Sequence, residues 1–159
     1  ITRVHGTATA AGCQLVANSD LAVASSTARF AVSGVNLGLF CSTPGVALSR
    51  NLSRKRAYEM LMTGEFIDAP TALEFGLVNR VVVPEALDKT VMALAQNIAR
   101  KPAQTLRLGK SLFYRQLEHS LEQAYHDAGE TMACNMMFED AGEGIDAFIE
   151  KREPDWSNS

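Results

Sequence analysis

The hydrophobic pattern divides the chain into a mixed first half and a helical second half. Short apolar runs at Asp20–Ala24 and Arg29–Val32 are typical of buried strands, and Ser25-Ser26-Thr27 between them is typical of a turn. Glycine, proline and polar residues then dominate Ser33–Gly45, which predicts a loop of the kind that often carries function. Apolar residues at helical spacing next predict a helix over Arg54–Thr63.

Residues that start and stop helices mark the end of this mixed half. Gly64 follows the helix over Arg54–Thr63 as a stop signal. Asp68-Ala69-Pro70 is typical of an N-cap followed by a first-turn proline, and it predicts a short helix that Gly76 ends. A strand is expected over Leu77–Val83, before Pro84.

From Ala86 onward the pattern predicts an almost wholly helical chain. Apolar residues at a spacing of three and four indicate four helices. They are expected over Leu87–Arg100, Ala103–Leu117, Ser120–Phe138 and Gly142–Lys151. We therefore divide the chain into residues 1–84, which are mixed, and residues 85–159, which are helical.

Composition narrows the class of protein. The chain has 159 residues with 47% hydrophobic and 21% charged residues and a net charge of −3, which is ordinary for one globular core. The slight acidic excess argues against a nucleic-acid partner, and no apolar run reaches the length of a membrane span. Cys13, Cys41 and Cys134 are an odd number without metal-ligand spacing, so we expect no metal site and a reducing compartment.

Two features of the first residues bear on function. Ile1 begins in the middle of a strand-like pattern, so we expect part of the protein to lie upstream. Thr7–Ala17 is rich in alanine and glycine and has no long side chain before Gln14. Small residues allow a helix to begin close to a ligand, and its first N–H groups have no partner within the helix.

Four stretches in order carry a family resemblance. Val4–Asp20 is similar to the pattern V-x-G-x-a-x-G-G-G-x-E-L-x-x-x-x-D, and Phe30–Arg50 to F-x-x-P-E-x-x-x-G followed by P-G-x-G-G and R. Met60–Val81 is similar to M-L-T-G…A-x-x-A-x-x-x-G-L-V-x-x-V, and Phe148–Trp156 to F-x-E-K-R-x-P-x-F. Together they span the chain, which resembles the C-terminal portion of the crotonase (enoyl-CoA hydratase/isomerase) superfamily.

The resemblance implies an α/β fold. Residues 1–84 would be the C-terminal part of a spiral of ββα turns, packed as two nearly perpendicular sheets. Residues 85–159 would be a helical region that mediates trimers and covers coenzyme A. The expected assembly is a homotrimer or a dimer of trimers.

The resemblance also implies a ligand and a reaction type. The ligand would be an acyl-CoA thioester, with coenzyme A as part of the substrate and no separate cofactor. The family stabilises a thioester enolate with two backbone N–H donors, of which Ala11 matches one and the other is expected upstream of Ile1. Gly12 would line the substrate. The implied protein is a lyase or isomerase of fatty acid metabolism, in the cytoplasm of a bacterium or the mitochondrial matrix.

The chain departs from this pattern at the acid and base. The two glutamates of the hydratases align with Gln14 and Gly34. Gln14 can orient a water molecule but does not titrate near neutral pH, and Gly34 has no side chain. Three alternatives follow: an enzyme whose reaction does not need both glutamates, an acyl-CoA-binding protein without turnover, or a structural protein.

Three further residues are candidates for contact with the substrate. Cys41 lies in the loop beside the expected site and is either a nucleophile or a small buried residue. Lys110 and Lys151 lie in the helical region. The resemblance implies that they contact coenzyme A, because the C-terminal helices of the family often reach an acyl-CoA bound to a neighbouring subunit.

Overall fold

A computed structural model describes residues 1–156 as two compact units, the first over Ile1–Ala95 and the second beginning at Gln96. The strands of the first unit are β1 (Thr2–Val4), β2 (Thr7–Thr9), β3 (Ala22–Ser25), β4 (Arg29–Ala31), β5 (Ile67–Asp68) and β6 (Arg80–Val82). Its helices are α1 (Ala11–Ala17), α2 (Ser42–Asn51), α3 (Arg54–Thr63) and α4 (Ala69–Phe75). Short 3₁₀ helices cover Ser33–Leu37 and Pro84–Ala86.

The strands form two small sheets. One has the order β1-β3-β6 and is parallel throughout, and the other has the order β2-β4-β5 with β5 antiparallel to β4. Successive strands β1 to β4 alternate between the two sheets. This α/β arrangement agrees with the predicted fold class, while the spiral geometry and the trimerising role of the helices stay predictions.

Small side chains build the core of the first unit. Most of the buried residues are alanine and valine, and Phe30, Leu48 and Met60 are the largest side chains that are fully buried in it. A glycine also makes a close contact possible where the sequence favoured a loop. Gly45 lies under α3, where an added Cβ would stand 3.4 Å from a methyl group of Leu61.

The predicted loop over Ser33–Gly45 is wrong in its second part, because α2 begins at Ser42. Pro44 is accommodated in the first turn, where a helix has no N–H to lose, and Gly45 lets α2 approach α3. The first part of the segment is a 3₁₀ helix. Pro44 therefore helps to begin a helix, and Gly45 allows that helix to pack closely.

Two other boundaries differ from the expectation. Thr7–Thr9 is a strand, because it pairs in parallel with β4 and buries Ala8. The last helix begins at Glu139 and not at Gly142, since Phe138 provides the extended residue before it. The helix over Arg54–Thr63 and the short helix capped by Asp68 are confirmed, and the Asp68 carboxylate accepts the Thr71 N–H at 2.9 Å.

The remaining helices are α5 (Leu87–Ala99), in which the division between the units falls, and, in the second unit, α6 (Ala103–Gln116), α7 (Leu121–Met136) and α8 (Glu139–Glu150). Among the described residues, α6 and α7 bury none of their residues, and α8 buries only Asp140 and Ala147. Within the described part of the chain, no helix has both the length and the hydropathy of a membrane span. The predicted division at residues 84 and 85 stays a prediction.

Candidate active site

The candidate site lies where two neighbouring parallel strands end. β2 and β4 pair with Thr9 beside Ala31, and the Ala10 N–H continues the ladder by donating to the Ala31 carbonyl at 3.0 Å. The hydroxyl of Thr9, the last residue of β2, also shares a hydrogen bond of 3.2 Å with the hydroxyl of Ser33, two residues beyond β4. Ligand sites of α/β proteins are commonly found beyond the carboxyl ends of parallel strands.

Ala10 holds a strained backbone at this point. Its φ of 46° and ψ of −114° belong to the first central position of a type II′ turn, which glycine normally occupies. Its carbonyl accepts the Gln14 N–H at 3.0 Å, so both of its peptide groups are held. Strain of this kind persists only where the surroundings fix it, and it is concentrated at functional sites. This backbone conformation at Ala10 turns the chain from β2 directly into α1.

Ala11 and Gly12 form the first turn of α1. The first hydrogen bond into the helix is donated by the Gln14 N–H, so the geometry of a helix start leaves the N–H groups of Ala11 and Gly12 without an acceptor in α1. Ala11 is exposed and Gly12 is half-buried. An added Cβ at Gly12 would meet only the Ala8 Cβ, at 4.0 Å. The packing therefore tolerates a methyl group at either residue.

Gln14 and Cys13 lie on different faces of α1. Gln14 is half-buried, and its amide is polar without being a proton donor or acceptor in the acid–base sense. Cys13 is fully buried, and burial, with a smaller contribution from the nearby Cys41, raises the pKa of its thiol to about 12. Cys13 is therefore a neutral packing residue at physiological pH.

Gly34 is enclosed on the side where a side chain would begin. An added Cβ would stand 2.4 Å from the Leu39 carbonyl oxygen and 2.8 Å from the Cys41 sulfur. The Leu39 N–H donates to the Gly34 carbonyl at 2.9 Å, and the Gly34 N–H donates to the Cys41 Sγ at 3.3 Å. Position 34 thus holds a residue without a side chain because backbone and sulfur already fill the space.

Cys41 immediately precedes α2 and is buried. Its sulfur accepts a hydrogen bond from the backbone of Gly34. Of the two alternatives in the sequence, a reactive nucleophile or a small buried residue, the contacts favour the second. Among residues 1–156, no group of three or more histidine, cysteine and acidic side chains lies together as metal ligands would.

The remaining candidates belong to the second unit and are described by themselves. Lys110 lies on α6 and is exposed. Lys151 forms the left-handed C-cap of α8, with φ 56° and ψ 40°, and its side chain is also exposed. The tail beyond it is fixed to α8, because Arg152 makes two hydrogen bonds to the Glu143 carboxylate, at 2.6 and 3.0 Å.

Sequence comparison assigns the family. The sequence model of the enoyl-CoA hydratase/isomerase family matches residues 1–159, so the chain belongs to this family, as the four stretches predicted. Mitochondrial enoyl-CoA hydratase domain-containing protein 3 of Mus musculus is 51% identical over 158 residues, which are 99% of this chain and 53% of the relative. The chain thus spans about half the length of the curated relatives of this kind.

Solved structures give the same assignment. An enoyl-CoA hydratase of Mycobacterium smegmatis is 64% identical with a TM-score of 0.95, covering 97% of this chain and 60% of that protein. Human enoyl-CoA hydratase domain-containing protein 3 is 51% identical with a TM-score of 0.92, covering 95% and 60% respectively. The runs Ala10–Gln14 and Gly38–Arg50 had the pattern most similar to that subgroup, and these identities confirm the similarity.

The sequence did not single out two residues of the site. Ala10 has no unusual property in the sequence, and its strain follows from its place between β2 and α1. Leu39 contributes through its backbone, which no side-chain pattern can indicate. The absence of glycine at position 10, where the family pattern has one, was the only available signal.

Proposed function

We propose that this protein binds an acyl-CoA thioester and stabilises its enolate through backbone N–H groups, without the two glutamates that hydratases of its family use. Ala11 would donate one hydrogen bond to the thioester oxygen, and Gly12 would line the acyl group. Gln14 and Gly34 would stand at the positions of the acid and base. The substrate class comes from the family, whose members act on acyl-CoA thioesters.

The strained Ala10 is the observation that carries this proposal. A strained backbone persists where the surrounding structure fixes it, and such residues cluster at functional sites. That next group is the Ala11 N–H, which begins α1 and points away from the helix. A fixed donor aimed at a developing negative charge lowers a barrier because it does not have to reorient, and losing one such donor typically reduces the rate about 10²–10³-fold.

The acid–base step would differ from a two-glutamate hydration. Glutamine can hold a water molecule by donating and accepting hydrogen bonds, but it cannot take up its proton near neutral pH. A positioned acid or base typically contributes about 10²–10⁴ in rate. The proposed reactions are therefore those that need the enolate but not both carboxylates, such as isomerisation, thioester hydrolysis or another lyase step.

A second candidate is a protein that binds acyl-CoA without turnover. The enclosure of Gly34 favours it, because the Leu39 carbonyl and the Cys41 sulfur leave no room for a side chain there. In this case the N–H donors would bind the thioester and no group would complete a reaction.

The expected assembly and coenzyme A contacts belong to the same proposal. Exposed Lys110 and Lys151 would contact coenzyme A phosphates, and the helices of the second unit would form a homotrimer or a dimer of trimers. The apolar residues exposed on α6 and α7 support this, since large exposed apolar patches mark interfaces. The proposed compartment is a mitochondrial matrix or a bacterial cytoplasm, and the name of the mitochondrial relatives supports a mitochondrial location.

Two measurements on the full-length protein test the proposal. Calorimetry should show that butyryl-CoA binds and that the thioester improves affinity over coenzyme A alone. Hydration of crotonyl-CoA, followed by the loss of its conjugated absorbance, should stay far below the usual enzyme range of about 1–10³ per second. A rate within that range would contradict the assignment of Gln14 and Gly34, and failure to bind either ligand would contradict the ligand class.

A further inference from the structure

We propose that Cys41 is a positioning residue that holds the loop from Gly34 to Cys41 closed over position 34. We call Gly34, Leu39 and Cys41 the clasp. The inference rests on the proposed function, because the clasp would shape the part of the site that contacts the acyl group. It would also exclude every residue except glycine from position 34.

The hydrogen bonds of the clasp join the two ends of the loop from Gly34 to Cys41. The Gly34 carbonyl accepts the Leu39 N–H at 2.9 Å, and the Gly34 N–H donates to the Cys41 sulfur at 3.3 Å. Both polar backbone groups of one residue are thereby fixed by residues five and seven positions later. Between them, residues 36–40 are exposed, so that segment gains little of its order from burial.

The clasp lies beside the donor turn. Residue 33 shares a hydrogen bond of 3.2 Å with Thr9, which directly precedes the strained Ala10. The Cys41 sulfur is also near enough to Cys13 of α1 to contribute to its raised pKa. The hydrogen bond between Ser33 and Thr9 thus places the clasp next to the turn where the thioester would bind.

The clasp also restricts what position 34 can carry. A side chain at Gly34 would need the Leu39 carbonyl, which is backbone, to move from a distance of 2.4 Å. Removing the Cys41 sulfur would relieve the contact at 2.8 Å but not that one. Introducing a glutamate at this position would therefore require the loop to be rebuilt.

The first test compares Cys41→Ala with Cys41→Ser in the full-length protein. Serine retains an acceptor for the Gly34 N–H and alanine does not, so alanine should weaken butyryl-CoA binding by about 3–10-fold, the value of one hydrogen bond. Affinity for coenzyme A alone should stay unchanged in both variants, and serine should restore most of the loss. Cys134→Ala, which removes an exposed cysteine from the second unit, is the matched control.

The second test measures melting temperature. Gly34→Ala should lower it clearly. Cys41→Gly should cost less in the Gly34→Ala protein than in the wild type, because it removes the contact with the sulfur, while the contact with the Leu39 carbonyl remains. A Gly34→Ala protein as stable as the wild type would overturn the steric argument. An unchanged ratio of butyryl-CoA to coenzyme A affinity in Cys41→Ala, or a serine variant that behaves like alanine, would overturn the positioning role.

The two proposals fail in different ways. If the wild-type protein gains nothing from the butyryl group over coenzyme A alone, the proposed function fails and the clasp loses its ligand. If the wild type gains affinity from the butyryl group and Cys41→Ala keeps that gain, only the clasp inference fails.

Discussion

The two units of this chain hold themselves together by different means. The first unit buries a set of small apolar residues between short strands and helices, with Phe30 fully enclosed. The second unit consists of helices that leave many large apolar side chains exposed. They include Leu106, Phe113, Leu117, Leu121, Tyr125, Met132 and Met136. Ion pairs of Arg115 with Asp127 and of Arg152 with Glu143 connect neighbouring parts of this unit.

The difference shows that the buried core fixes the backbone only in the first unit. In the first unit the small side chains bring strand ends and helix starts close together, and this closeness produces the strain at Ala10 and the enclosure of Gly34. In the second unit the exposed apolar surface indicates an interface. The site is therefore expected to depend on the core of the first unit, and the assembly on the surface of the second.

The largest expected effect separates the two units most clearly. Phe30→Ala should reduce the free energy of unfolding by about 3–5 kcal/mol, because it leaves a cavity in a closely packed core. Phe113→Ala, on an exposed face, should instead weaken self-association. Thermal unfolding at several protein concentrations checks this: the loss in Phe30→Ala should not depend on concentration, whereas that in Phe113→Ala should. Equal, concentration-independent losses would contradict the comparison.

Relief of backbone strain should give the next largest effect. Ala10→Gly is expected to stabilise the protein by about 1 kcal/mol, because the relief of strain exceeds the entropy that glycine loses on folding. Lys151→Gly is the matched variant, since Lys151 is the other non-glycine residue with positive φ in the described chain. Its ordinary left-handed conformation is less strained, so denaturant unfolding should show a smaller gain. A larger gain at Lys151 would contradict the placing of strain at the candidate site.

A helix cap in the second unit should have a smaller effect. Ser120 accepts the Gln123 N–H at 3.3 Å at the start of α7, and Ser120→Ala should lower stability by about 0.5 kcal/mol, the lower end for lost caps. Chemical denaturation would measure it. Ser49→Ala, whose hydroxyl bonds within α2, should have almost no effect and serves as the control.

The smallest expected effect is a change in the dependence of stability on acidic pH. Hydrogen bonds from Arg152 and from the Asp155 N–H lower the pKa of Glu143 from 4.5 to about 2. A carboxyl whose pKa is depressed on folding stabilises the protein above its unfolded pKa, and that contribution is lost as the pH falls from about 5 to about 2. Because the pair is exposed, the effect is expected to be a shift of at most about 1 °C in melting temperature. Glu143→Gln should make the melting temperature less dependent on pH in that range, and an unchanged profile would contradict the assignment.

Much of the fold could be predicted because its signals are local. The helix over Arg54–Thr63 and the N-cap at Asp68 follow from spacing and from the chemistry of one side chain. The helix α2 was not predicted, since Pro44 and Gly45 are common in loops. In the structure Pro44 lies in the first turn of α2, and Gly45 allows α2 to approach Leu61 of α3. A three-residue strand such as β2 is likewise too short for its period to be visible.

The same division holds for the candidate site. The sequence by itself determined the family and the absence of carboxylates at Gln14 and Gly34, because these depend on the order and identity of residues. It also predicted the backbone donor at Ala11 from the family pattern. Only the tertiary structure decided that Ala10 is strained and that the Leu39 carbonyl and the Cys41 sulfur fill the space beside Gly34. The first is a backbone conformation set by the turn from β2 into α1, and the second is a set of distances within one short loop. Both depend on how the chain packs, which the types of residue do not state.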